Sequence, residues 1–123
     1  MNDHPNALEL IRVASQTLES DVLPGAKPEH VYALRMIANA LGIAARELAT
    51  HDQNALDETR GLNALYHDTV PATDVHERNR QLAQDIRNGK FEATSSEAAQ
   101  LRQHLSTTAR AKLAVAYPKG LEK

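Results

Sequence analysis

A narrow stripe of polar residues on an otherwise apolar helix is the part of the sequence best suited to chemistry. It comprises Arg35, Asn39, Gly42 and Arg46, which lie within about 60° of one another on an α-helix. Two guanidinium groups can hold a carboxylate or phosphate bidentately, an amide adds a directional hydrogen bond, and glycine allows close approach. The stripe predicts an edge that binds an anion or a partner. The alternative is an ordinary solvent-facing side of the helix.

A single lysine on the apolar side of a later helix is the second feature. Lys112 projects with Ala98, Leu101, Leu105, Ala109 and Ala116. An ammonium at such a position can reach water over its own methylenes, pair with a carboxylate of the same chain, or contact an acidic group of a partner. We therefore include Lys112 with Arg35, Asn39 and Arg46 as a predicted partner- or anion-binding residue.

The chain lacks the recognised spacings of catalytic groups. It has no glycine-rich phosphate loop, no nucleophile-elbow motif and no kinase signature. Its six histidines include no pair three or four residues apart, the spacing that places two metal ligands on one helical face. We predict a protein that is not an enzyme, with no catalytic residue, no metal site and no cofactor. A helical enzyme remains open only if a histidine and a carboxylate converge in space.

Composition predicts the fold class and narrows the range of functions. Alanine accounts for 20 of the 123 residues and aromatic residues for only 3%, a balance that favours packed helices over a β-sheet. The net charge of −2 argues against nucleic-acid binding. The chain has no cysteine, no apolar run as long as a membrane span and no signal-peptide pattern at its start. We expect an all-α cytoplasmic protein with no membrane or nucleic-acid partner.

Proline and glycine predict five helices in a compact bundle, forming one domain over residues 1–123. The first three cover about 5–22, 28–50 and 54–67, with Gly61 weakening the third by about 1 kcal/mol relative to alanine. The fourth runs from a cap at Thr73 or Asp74 to Gly89, a left-handed terminator. The fifth starts from a capping box at residues 94–97 and ends before Pro118.

The second helix carries an apolar arc that a single neighbouring helix cannot cover. Nine apolar residues between Ala33 and Leu48 occupy nearly half of its circumference. The arc is completed either by other helices of the chain or by another subunit. A homo-oligomer is therefore left open.

Five short segments resemble a bacterial family of small all-helical proteins, known as a domain of unknown function. Their order and spacing carry the resemblance, which extends over nearly the whole chain. The segments are Pro5 with Glu9-Leu10, Val22-Leu23-Pro24, Arg35-Met36-Ile37-Ala38-Asn39-Ala40-Leu41 followed by Arg46-Glu47-Leu48, Ile86-Arg87-Asn88-Gly89, and Lys112-Leu113-Ala114-Val115-Ala116-Tyr117-Pro118. Members are encoded beside aminoglycoside-phosphotransferase-like kinases and acyl-CoA dehydrogenases.

The resemblance implies an accessory role. The chain would bind and support a phosphotransferase-type kinase that acts on hydroxyacyl-CoA in acid catabolism, and the chemistry would belong to the kinase. Arg35, Asn39 and Arg46 would then meet an acidic patch of the kinase or the phosphates of a CoA substrate, with Lys112 assisting. The alternative is a stand-alone module that binds acyl-CoA or another small ligand.

Overall fold

The computed structural model describes residues 4–67, 74–92 and 95–122. Its first helix, α1 (Ala7–Thr17), begins at Asn6, whose side chain accepts a hydrogen bond from the backbone N–H of Glu9 at 2.9 Å. The chain continues as one π-helical turn, Leu18–Val22, and one 3-10 turn, Leu23–Gly25. The first helix was predicted over about residues 5–22: α1 itself ends at Thr17, and the π-helical turn extends the helical segment to Val22, ahead of the 3-10 turn that contains Pro24.

The second and third predicted helices are one continuous helix. Helix α2 runs from Pro28 to Tyr66, so the prediction of a break between residues 50 and 54 is wrong. No proline or glycine lies in that stretch, and Gln53 donates to Asp57 at 2.8 Å in a helical i, i+4 contact. Gly61 does not interrupt the helix either, because the ring of His104 packs against it.

Helices α3 (Val75–Arg87) and α4 (Ser96–Ala116) agree with the last two predictions. Asp74 caps α3 by accepting from the N–H of His76 at 2.9 Å, and Gly89 follows the helix at φ +77°. The alternative cap, Thr73, and the proposed capping residue Thr94 lie outside the described residues. Ser95 is the residue that caps α4, since its Oγ accepts from the N–H of Ala98 at 3.0 Å.

The described residues form no β-strand, which confirms the predicted all-α class, although they form four α-helices and not five. A short 3-10 segment, Pro118–Glu122, follows α4. The chain divides into two compact units: residues 1–51 with 114–123, and residues 52–113. Helices α2 and α4 each contribute to both. The assignment of residues 1–123 to one domain stays a prediction.

The buried core belongs to the second unit. Leu62 and Leu65 of α2, Leu82 of α3 and Leu101 of α4 form one apolar cluster, and Tyr66, Val75 and Phe91 pack at its edge. Leu62 is completely inaccessible to water. Burial of such leucines is worth about 1.5–3 kcal/mol each, so this cluster holds α2, α3 and α4 together.

Candidate functional site

The predicted polar stripe lines an open groove in the first unit. The lining residues from α2 are Arg35, Ala38, Asn39, Gly42 and Arg46. The segment around α1 contributes Ser15, Glu19 and Leu23. Its volume is about 530 Å³. The stripe is therefore one wall of a concave surface, and the end of the first helical segment supplies the other.

Arg46 is fixed within this groove by the end of α4. Its Nε donates a hydrogen bond to the backbone carbonyl of Val115 at 2.8 Å. That carbonyl belongs to the last turn of α4, where carbonyl groups lack helical partners and a positive charge is favourable. Arg46 is half-buried. Its guanidinium is thus oriented before any ligand arrives, and the two Nη groups keep their donors for other acceptors.

Gly42 provides the space that this guanidinium occupies. A Cβ at position 42 would lie 3.2 Å from Nη1 of Arg46, tighter than an ordinary van der Waals contact. The predicted close approach at Gly42 is therefore made by a side chain of the same helix, one turn further on. The glycine lets Arg46 lie along α2 toward the groove.

Arg35 and Asn39 complete the polar wall. Both side chains are exposed, and neither forms a hydrogen bond or an ion pair with another residue in the part of the chain that the structure describes. Their donors are therefore available to a ligand. The exposure of both side chains is also what the alternative interpretation, an ordinary solvent-facing side of the helix, predicts.

The groove carries an excess of one positive charge. Arg35 and Arg46 contribute two, and Glu19 on the opposite wall contributes one negative charge. Ser15 adds a hydroxyl that can donate or accept. Such a site suits a monoanion such as a carboxylate, which two guanidinium groups can hold by charge-assisted hydrogen bonds.

The structure brings three of the four predicted binding residues together. Arg35, Asn39 and Arg46 share the groove, whereas Lys112 belongs to the second unit, where its side chain is exposed on α4. Ser15 and Glu19 were missed by the sequence interpretation. Ser15 shares one face of the first helix with Leu8, Ile11, Leu18 and Val22, and a lone hydroxyl among apolar residues was the available signal.

The second unit contains a charged cluster around Tyr66. Its hydroxyl donates to Oδ2 of Asp85 at 2.5 Å, and Nζ of Lys90 lies 3.7 Å from the same oxygen. The cations of Lys90 and Arg78 lie 4.9 and 5.2 Å from the centre of the Tyr66 ring. Burial and the neighbouring Asp85 carboxylate raise the pKa of Tyr66. These contacts join the end of α2 to α3 and to the turn after it.

One histidine of the described residues contacts a carboxylate, since Nδ1 of His4 lies 2.6 Å from Oε1 of Glu9 at an exposed position. No three His, Asp or Glu side chains among those residues are grouped to hold a metal ion. His30, His67 and His76 are exposed. His104 packs on Gly61, and burial lowers its pKa against the opposing influence of Glu58.

Together these features define an all-α protein whose long central helix forms one wall of a cationic groove. The chain belongs to the DUF6285 family, a domain of unknown function, whose family model matches residues 24–120. Comparison with curated proteins and with solved structures gave no match. The matched range includes Arg35, Asn39, Gly42 and Arg46, while Ser15 and Glu19 precede it.

No helix in the described ranges is long and apolar enough to cross a membrane.

Proposed function

We propose that this protein is a non-catalytic, cytoplasmic accessory subunit that binds and supports a phosphotransferase-type kinase acting on hydroxyacyl-CoA in acid catabolism. The choice of partner rests on the resemblance of the chain to a family encoded beside such kinases. The observation that supports a binding role is the groove of α2. Its Arg46 is held in place by the carbonyl of Val115 at 2.8 Å, and Arg35 and Asn39 beside it have unused donors.

The charge of the groove favours a carboxylate of the kinase over the phosphates of a CoA ester. The two arginines can hold the two oxygens of one carboxylate, whereas Glu19 on the opposite wall repels the further negative charges that a polyanion would bring beside it. We expect an aspartate or glutamate of the kinase to lie between Arg35 and Arg46. The neighbouring Glu19 and Ser15 would accept hydrogen bonds from the backbone or a basic side chain of the same partner segment.

The size of the groove supports a second candidate, a module that binds acyl-CoA or another small ligand without a partner. A volume of about 530 Å³ falls in the range of small-molecule sites, and Leu23 and Ala38 give it an apolar portion. An acyl chain would contact these two residues, with its polar end toward Arg35. This candidate predicts a saturable heat of binding when the isolated chain is titrated with a CoA ester.

The test combines copurification with kinase turnover. The kinase encoded beside the gene is assayed for ATP-dependent phosphorylation of hydroxyacyl-CoA with and without this chain, and light scattering records whether the two coelute. We expect coelution and a rise in turnover. A kinase that works equally well alone and elutes separately would overturn the accessory role.

Variants of the groove arginines test whether coelution with the kinase depends on the proposed site. Arg35→Ala with Arg46→Ala should reduce coelution, whereas Arg12→Ala, which removes an exposed arginine of α1 outside the groove, should not. An intact complex without both groove arginines would refute the site while leaving the accessory role standing. Lys112→Ala tests separately whether the exposed lysine of α4 assists.

A further inference from the structure

A long apolar face of α2 is uncovered in the first unit. Tyr32 is 76% exposed, Met36 51%, Ile37 49% and Leu48 48%. With Ala33 and Ala40, which are also exposed, these residues share one side of the helix, an arc of about 160°. Between Glu29 and Glu47 this arc carries no charged side chain.

The first unit has no interior of its own to account for this surface. Within the described ranges the buried apolar residues all belong to the second unit, and none of the described residues of the first unit is buried. The buried residues are Leu62, Leu65, Leu82, Ala98 and Leu101. From Tyr32 to Leu48 the uncovered face extends over about 24 Å of helix. A contiguous apolar face of this kind is typical of a surface that another protein covers.

We infer that the α2 face, defined by Tyr32, Met36, Ile37, Ala40 and Leu48, pairs antiparallel with the same face of a second copy of this chain. The face is complementary to itself when two copies cross at Ala40. Met36 then lies opposite Ala44 beside the crossing point, whereas Tyr32 and Leu48 come to the same level on the two edges of the pair. A large side chain thus meets a small one, and alanine at the crossing point lets the two backbones approach closely.

Charge selects the antiparallel arrangement. Parallel copies would place Glu29 against Glu29 and Glu47 against Glu47, and like charges in contact are destabilising. In the antiparallel pair Glu29 lies opposite His51, whose imidazole can donate a hydrogen bond, and Glu47 lies opposite Ala33. The opposed helix dipoles are favourable as well.

The dimer leaves the groove accessible. Arg35, Asn39, Gly42 and Arg46 lie beside the apolar arc, and the centre of their stripe is about 130° from the centre of the arc. Two grooves per dimer would thus remain available to partners, and this inference does not depend on the proposed function. If a kinase covered the apolar face instead, the isolated chain would be monomeric.

The first experiment measures the mass of the full chain by sedimentation over a wide range of concentrations. We expect a dimer that Ala40→Glu converts to a monomer, because the new carboxylate would meet its own copy at the two-fold axis. The matched control is Ala49→Glu, the same change at an exposed position of α2 outside the arc, which should stay dimeric. A chain that is monomeric throughout, or a dimer that survives Ala40→Glu, would overturn the inference.

Cysteine cross-linking then tests the orientation, since the chain has no cysteine of its own. Under mild oxidation Ala40→Cys should form a disulfide-linked dimer. Met36→Cys should not, because antiparallel pairing separates its two copies by about 12 Å, beyond disulfide reach. A cross-linked Met36→Cys dimer would show parallel pairing and contradict the arrangement, and failure of Ala40→Cys to cross-link would exclude the crossing point.

Discussion

The imidazole of His104 occupies the space in which any other residue at position 61 would place its Cβ. A Cβ built on Gly61 would lie 2.7 Å from Cε1 of His104 and closer still to Nδ1. The two residues belong to α2 and α4, and the missing side chain lets these helices pack closely beside the leucine cluster. Gly61 is therefore a packing residue inside a helix.

This contact predicts a reversal of the usual effect of alanine in a helix. Gly61→Ala should destabilise the protein, although alanine favours a helix by about 1 kcal/mol over glycine, because the added methyl group displaces the His104 ring. In a His104→Ala background the same change should become stabilising by up to about 1 kcal/mol. Urea denaturation of the four proteins measures both effects. A stabilising Gly61→Ala in the parent chain would contradict the contact.

The surroundings of His104 also predict a dependence of stability on pH. Burial lowers the pKa of His104 below its ordinary value of 6.5, with Glu58 opposing the shift. The unfolded chain therefore binds a proton more readily than the folded chain. The stabilising contribution of the neutral ring is complete above pH 6.5 and is lost as the pH falls through that value toward the lower, folded pKa.

The comparison of the parent chain with His104→Gln isolates this contribution from that of the carboxylates. The parent should lose more unfolding free energy than the variant between neutral and mildly acidic pH. NMR titration of His104 should give a midpoint below 6.5. Equal pH dependence of the two proteins would show that His104 titrates as it does in an unfolded chain.

The Tyr66 hydroxyl should contribute measurably to stability. Tyr66→Phe removes the hydrogen bond to Asp85, whose carboxylate also lies 3.7 Å from Nζ of Lys90. We expect a loss of about 1 kcal/mol in unfolding free energy. Tyr32→Phe is the control, because Tyr32 is 76% exposed, and its change should stay within about 0.5 kcal/mol. Equal effects would rule out a role for the Asp85 contact.

The two groove arginines should differ in their effect on folding. Arg46→Ala removes a charge-assisted hydrogen bond to the Val115 carbonyl and should lower the unfolding free energy by about 1–2 kcal/mol. Arg35→Ala removes an exposed side chain and should change it by less than about 0.5 kcal/mol. Thermal denaturation of both variants provides the check. Arg35→Ala is consequently the cleaner probe of binding, and similar losses in the two variants would mean that the Val115 contact contributes little.

Local signals in the sequence predicted much of the fold. The alanine-rich composition indicated an all-α protein, Asp74 was among the predicted caps, and Gly89 was the predicted terminator. These features depend on residues close together in the chain. The continuity of α2 between residues 50 and 54 was missed, although no proline or glycine marks a break there. The contact of Gly61 with His104 could not be predicted in the same way, because His104 lies on another helix.

The candidate site likewise combines features that the sequence predicted with features that only the structure shows. Helical periodicity placed Arg35, Asn39 and Arg46 on one stripe, and the structure keeps them there. The opposite wall, with Ser15 and Glu19, depends on how the first helical segment packs, which no spacing in the sequence reveals. The contact of Arg46 with Val115 joins residues 69 positions apart. The sequence predicted these candidate binding groups but not the contact that orients Arg46.

The continuity of helix α2 has a consequence for the order of folding. Its residues 52–66 are anchored by the buried leucines, whereas residues 28–51 have no buried side chain. Starting a helix is costly, but extending one already formed adds a hydrogen bond for each residue fixed. We expect the leucine cluster to act as the nucleus and the groove-bearing half of α2 to form by propagation from it. The groove would then form only after the leucine cluster, which belongs to another part of the chain, has folded.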